Sequence, residues 1–155
     1  MLLLVKDILD IAASIKSLYT KILQMDDLTE MKMHKLLYYS QKKHFENFGT
    51  WLFNDDFEGW RHGPVNRKVR SSFAHLPEEV ELSLEEEYSI RETIFEYGVY
   101  PAEVLSNMSH DEEAYKISRH RLGEYDRGNR IIKKEDIVKD STTLGVDYSN
   151  ECEVH

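Results

Sequence analysis

Two pieces, Lys32-Met-His-Lys-Leu-Leu-Tyr-Tyr39 and Gly59-Trp-Arg-His-Gly-Pro-Val65, decide the fold of this chain. The first reads as the middle of an apolar helix. Met33, Leu36, Leu37 and Ser40 recur at steps of three and four and share one face, while Lys32, Lys35, Lys42, Lys43 and Glu46 fall largely away from it. Thr29 supplies an N-cap and Gly49 a C-terminal stop. Tyr38 and Tyr39 sit about 100° apart around such a helix, so at least one ring is expected at its edge. His34 reads as an exposed or edge polar residue. In the second piece Gly63 permits a sharp turn, and Pro64 suits the first position of a helix, where no N–H is needed. A helix is therefore expected from Pro64 to about Ala74, burying Val65, Val69 and Phe73.

Working outward, Leu4, Ile8, Ile11, Ala12, Ile15, Leu18 and Ile22 predict an amphipathic helix over about 4–24. Trp51-Leu-Phe53 and Phe57 to Trp60 flank a turn-forming Asn54-Asp-Asp56, giving either a small hairpin or an extended loop across the helices. Beyond Pro77, Ser83 and Glu86 form a capping-box pattern. They open a helix from Leu84 to about Tyr97, with Tyr88, Ile94, Phe95 and Tyr97 as its apolar residues and Gly98 as its stop. Pro101 opens a short helix with Val104, Leu105 and Met108 inward. Ser109-His-Asp-Glu112 is expected to cap the next, from Ala114 to about Leu122, with Tyr115, Ile117 and Ser118 packed. A polar loop over 123–128, an extended Ile131-Ile132 and a turn or two of helix over 134–139 follow. Residues 140–155 carry Asp140, Asp147, Glu151 and Glu153, no Lys or Arg, and no apolar period. They predict a loose acidic tail. The expectation is a mainly α, compact bundle of about six helices over 1–139, with at most a small β-hairpin or short strands near 51–61 and 130–132.

The 155 residues suit one domain. No apolar run approaches the ~20 residues of a membrane span, and Lys6 and Asp7 interrupt Met1–Val5 before it resembles a signal peptide. The lone Cys152 excludes a disulfide framework or a Cys-based zinc site and predicts a reduced, cytoplasmic setting. The formal charge of −9 disfavours non-specific nucleic-acid binding. That charge is uneven. Seven glutamates crowd 78–92 against Arg91 alone, whereas Arg61, Arg67, Lys68 and Arg70 stand together with no acid between them. Such patches either recognise a protein by complementary potential or are two solvated faces. No spacing of the seven histidines makes a metal motif, no glycine cluster cradles phosphate, and His110-Asp-Glu reads as a helix start. No catalytic residue, metal or cofactor is expected.

In order and spacing, Lys32–Tyr39, Leu52-Phe53, Gly59–Val65, Leu105-Ser106 with Ser109-His110, and Ile131-Ile132 resemble the SocA-like antitoxin family, or Panacea domain, over roughly residues 5–139. Departures are Gly59 for a usual Ala, His34 for a usual Gln, and Ala114-Tyr115 where the family often has Pro-Trp. The resemblance implies a phage-associated or bacterial antitoxin that binds a protein toxin made from a neighbouring gene; some members hand the toxin to a protease, such as a Clp-type complex. Aromatic and Arg anchors dominate such interfaces, which nominates Tyr39, Trp60, Arg61, His62, Arg67 and Arg70 as partner-binding, with Trp60 and Tyr39 also readable as simply core. Lys35, Leu36, Leu37, Tyr38, Gly63, Pro64 and Val65 form the structural motif. The alternative is a regulator that binds its own operon through the basic 61–70 segment.

Overall fold

A computed structural model describes residues 5–141. Helix α1 (Ile8–Leu23) opens at Asp7, whose side chain accepts the Leu9 N–H at 2.8 Å. It starts later than the expected residue 4, which lies outside the described residues. An aspartate prefers to cap a helix from outside its first turn, and Lys6 instead bridges to Phe53 in parallel. Helix α2 (Glu30–Phe48) keeps its expected bounds: the Thr29 hydroxyl accepts the Lys32 N–H, and Gly49 adopts a left-handed φ of 71°.

Helix α2 is the axle of the fold. It has α1 and two further helices, α4 (Leu84–Tyr97) and α5 (Ala102–His110), packed around it, together with strand β2 (Gly63–Val65). A helix enclosed on so many sides keeps little solvent face over its middle, which corrects the expected polar stripe at Lys32, Lys35 and Lys42, while Lys43 is half-buried and Glu46 exposed. Lys32, His34, Lys35 and Lys42 are buried beside Leu36, Leu37, Tyr38 and Tyr39. Each buried polar group needs a partner. The Lys32 ammonium donates to the Gly98 carbonyl at 2.6 Å and to the Tyr19 hydroxyl at 2.9 Å; Lys42 pairs with Glu112 at 2.5 Å. Gln41 clamps the following segment, accepting the Leu52 N–H at 2.7 Å and donating to the Phe53 carbonyl at 2.8 Å. Tyr38 meets Phe57 edge-on at 5.4 Å, a geometry that suits the ring quadrupoles.

The sheet is small. Strand β1 (Phe57–Trp60) lies between β2 and β3 (Ile131–Ile132), all antiparallel, with Gly59 opposite Pro64 and Phe57 opposite Ile132. Its hairpin turns at Arg61-His62 and not at Asn54-Asp-Asp56. Gly63-Pro64-Val65 is accordingly a strand, which corrects the helix expected to begin at Pro64. Strand β2 lies at the sheet edge, where a proline's missing donor costs no ladder bond. Asn66 takes over as N-cap, accepting the Val69 N–H at 3.0 Å, so α3 spans only Arg67–Ser72 before a 3-10 turn at Phe73–His75.

Helix α4 forms with its full capping box at Ser83 and Glu86. Its inward face, however, is Ser89, Ile90, Thr93 and Ile94, while Tyr88 and Phe95 are 56% and 64% exposed. Small polar residues let α4 approach α2 closely, and His44 satisfies the Ser89 hydroxyl at 2.9 Å. In α5 Leu105, Ser106 and Ser109 turn inward and Val104 outward. Ser109 and His110 thus end α5; they do not cap α6 (Glu113–Ser118), which buries Ala114, Tyr115 and Ser118 and leaves Ile117 half-exposed. Helix α6 stops short of Leu122 because Arg119 turns away to bind loop carbonyls. A last helix, α7, covers 134–141. It runs past Lys139, and the Asp140 carboxylate accepts the Ala114 N–H at 3.0 Å. The remainder of the expected tail, 142–155, lies outside the described residues. The fold is mainly α with one small antiparallel sheet.

Candidate functional site

The Gly59–Val65 elbow sits directly on α2, so the two signature pieces form one unit. Three side chains hold its backbone from below. Tyr115 donates to the Trp60 carbonyl at 2.5 Å and the Arg61 carbonyl at 3.2 Å, Ser106 donates to the His62 carbonyl at 2.5 Å, and Lys35 donates to the Pro64 carbonyl at 3.4 Å. His34 receives the Asn66 N–H on Nδ1 at 3.3 Å and meets Glu30 through Nε2 at 3.0 Å. That pairing assigns the proton to Nε2, so the neutral ring serves both neighbours. A side chain at Gly63 would be both strained and crowded. Its φ is +120°, and a Cβ there would come within 2.6 Å of Lys35 Cε and 2.7 Å of Ser109 Oγ.

With its backbone fixed, the elbow carries its side chains outward. Trp60 donates from its indole to Glu58 at 2.9 Å, and the guanidinium groups of Arg67 and Arg70 lie 5.5 and 5.2 Å from its ring centroid. Arg67 pairs with Glu58 and Arg70 with Glu30. Arg61 lies over the Tyr125 ring at 4.5 Å. The structure therefore gathers Trp60, Arg61, His62, Arg67 and Arg70 on one face. Tyr39 is elsewhere: it is 4% exposed and stacked on Tyr97 at 4.1 Å, so it belongs to the core and not to a docking face. Lys35, Leu36, Leu37, Tyr38, Gly63, Pro64 and Val65 all lie beneath the surface.

Sequence reasoning missed the far wall of the site. The loop over 123–128 folds back against the elbow because Arg119 binds four carbonyls at once: Gly59 at 3.1 Å, Arg127 at 3.2 Å, Gly123 at 2.9 Å and Asp126 at 2.7 Å. This brings Tyr125 and Arg127 beside Trp60. Two cavities result, one of about 420 Å³ against Arg67, Leu122 and Arg130, and one of about 360 Å³ against Lys35, Arg61, His62 and Arg70. Trp60 and Arg127 border both. No periodicity marks such a loop, and a single arginine with many acceptors leaves no pattern in sequence.

Burial sets the protonation of the groups under the elbow. It pushes the His34 imidazole down to about 4 and the Lys35 ammonium down to about 8. Desolvation also lowers His110, whose ring stacks on Tyr115 at 5.0 Å and whose Nε2 is buried without a hydrogen-bond partner among the described residues. Among the described residues no three His, Cys, Asp or Glu side chains converge to hold a metal ion, and no helix is long and apolar enough to cross a membrane.

Compared with known proteins, residues 33–116 match the family model described as Antitoxin SocA-like, Panacea domain. These bounds take in α2 from Met33 onward, the whole elbow and most of α6. No curated protein and no solved structure matches the chain.

Proposed function

The chain belongs to the SocA-like antitoxin, Panacea-domain family, whose model covers more than half of it, and on that premise we propose that it neutralises a cognate protein toxin in the cytoplasm by direct contact through the Trp60 elbow. It does so as a binding protein, without breaking or forming bonds. One observation carries the reading: a cation-rich face built around a half-buried tryptophan stands on a molecule of formal charge −9. Tryptophan and arginine are the residue types that dominate binding hot spots, and a local positive field steers an acidic partner surface.

The operon-regulator alternative fits less well. Helix α3 has only six residues, too short to lie along a groove as a recognition helix, and it stands on a molecule of formal charge −9. A protease partner of Clp type is a further element of the reading. It implies that the toxin's half-life shortens in the presence of this chain, whereas simple masking leaves it unchanged.

The test is co-expression with the neighbouring reading frame. Arg61→Glu with Arg67→Glu should keep the melting temperature and helical circular dichroism of the wild type yet lose toxin in a pull-down and lose protection of the cells. Toxin captured at wild-type levels by that variant would overturn the assignment of the elbow as the docking face.

A further inference from the structure

We infer that the cavity between Trp60 and α2 receives a carboxylate side chain from an extended acidic segment of the bound protein. This rests on the docking reading above and specifies what the elbow recognises. The cavity measures about 360 Å³ and is bordered by Lys35, Arg61, Arg70 and Arg127 against a single carboxylate, Glu30. Glu30 is already engaged by His34 and Arg70. Four cations against one committed acid give this spot a sign opposite to that of the molecule as a whole, whose formal charge is −9. Trp60, Met31, Val65 and Tyr125 supply apolar wall for the methylenes of an aspartate or glutamate.

Lys35 is the sharpest clue. Its side chain is in the wall of the cavity and 1% exposed, yet its ammonium makes one hydrogen bond, at 3.4 Å, and pairs with no carboxylate among the described residues. An ammonium has three donors. Burying one with so little compensation is costly, and a methionine of similar length would fill the space more cheaply. A buried charge of this kind projects a field through a low-dielectric wall, where it is felt more strongly than in water. An entering carboxylate supplies the missing counter-charge, with Arg61, Arg70 and Arg127 at the mouth to receive it.

Phosphates share the anionic chemistry, but a nucleic acid is disfavoured. Screening limits exposed charges to a range of about 8 Å at physiological salt. A short acidic segment feels the local cations alone, whereas a duplex extends its charge across the acidic remainder of the surface.

The experiment uses the full chain and a capped eight-residue peptide alternating Asp, Glu and one Phe, with its Asn/Gln counterpart as control. Binding is followed by amide and indole NMR shifts. The acidic peptide should shift the Trp60 indole and the Gly63 and Arg127 amides, and the neutral peptide should not. Lys35→Met with Arg127→Ala should weaken acidic-peptide binding about tenfold or more. Lys35→Met also forfeits the 3.4 Å bond to the Pro64 carbonyl, so the control is Arg127→Ala alone, which removes a cation at the mouth without touching that bond. It should melt as wild type and still weaken acidic-peptide binding, and unchanged affinity in it would count against the inference. Equal affinity for both peptides, undiminished binding by the double variant, or displacement of the peptide by a duplex oligonucleotide at lower concentration would each overturn the inference. Failure of the acidic peptide to bind a chain that still neutralises its toxin removes this inference and leaves the docking reading intact. Loss of toxin capture is scored separately with the Arg61→Glu, Arg67→Glu variant.

Discussion

The Tyr115 hydroxyl lies 2.5 Å from the Trp60 carbonyl oxygen and 3.2 Å from that of Arg61. One phenol on α6 thereby anchors the backbone of the turn that presents both side chains. Tyr115→Phe removes that anchor without opening a cavity. It should cost about 1–2 kcal/mol, the usual penalty for stranding buried acceptors. Thermal unfolding measures this loss. Toxin affinity should fall as well, because the turn is no longer held; wild-type affinity in a destabilised variant would show that the anchor serves folding alone.

Arg119 offers a second test. Its planar guanidinium reaches the carbonyls of Gly59, Gly123, Asp126 and Arg127 together. Lysine, a point charge on a flexible stem, does not reproduce that fork. Arg119→Lys should therefore destabilise by roughly 1–3 kcal/mol, in the range for hydrogen bonds to charged groups. Hydrogen exchange at the Asp126 amide, which bonds back to the Gly123 carbonyl at 3.1 Å, should accelerate. Unaltered exchange there would mean that the loop holds its shape by itself.

Two glycines separate backbone strain from steric crowding. Gly49 has a φ of +71° with nothing within 4 Å of an added Cβ, whereas Gly63 has a φ of +120° with Lys35 and Ser109 in the way. Gly49→Ala should cost roughly 1 kcal/mol, the left-handed penalty alone. Gly63→Ala should cost roughly 2–4 kcal/mol, because overpacking adds to strain. Denaturant midpoints of the two variants give the comparison, and equal losses would contradict the crowding beneath the elbow.

The histidines predict a pH dependence with a definite sign. Burial holds His34 at about 4 against an ordinary 6.5, and His44 and His110 are shifted the same way. Between those values the unfolded chain binds more protons than the folded one. Stability is therefore lost as pH falls from 6.5 towards 4. The His34 share is on the order of 2–3 kcal/mol at the acid end. Glutamine in its place supplies both a donor for Glu30 and an acceptor for Asn66 yet does not titrate. His34→Gln should flatten the stability profile over this window; a slope equal to wild type would place the titration elsewhere.

Local signals predicted local features well. Thr29, Gly49 and the Ser83–Glu86 box mark helix ends through bonds to their own neighbours, and these bounds were legible from sequence. What surrounds a helix is not encoded locally. The lysines of α2 read as a solvent face because periodicity assumes that one exists, whereas α4, α5 and the sheet cover that side. The same blindness affected half of α4: Ile94 and Tyr97 pack inward as expected, but Ser89 and Thr93 join them for closeness while Tyr88 and Phe95 stay out. At the site, the Trp60–Arg70 run was visible as a basic aromatic cluster, although its strand-then-helix layout was hidden by the ambiguity of Gly63-Pro64. Tyr125 and Arg127 were invisible, since their place depends on where Arg119 turns.

The bond from Asp140 to the Ala114 amide bears on how the chain should be handled in the laboratory. An expression clone ended at Lys139, where the charge pattern suggests a clean break, would strip the carboxylate that receives the first turn of α6. That short helix bears Tyr115, so trimming a seemingly dispensable acidic end would slacken the grip on Trp60 through the residue next to the lost bond.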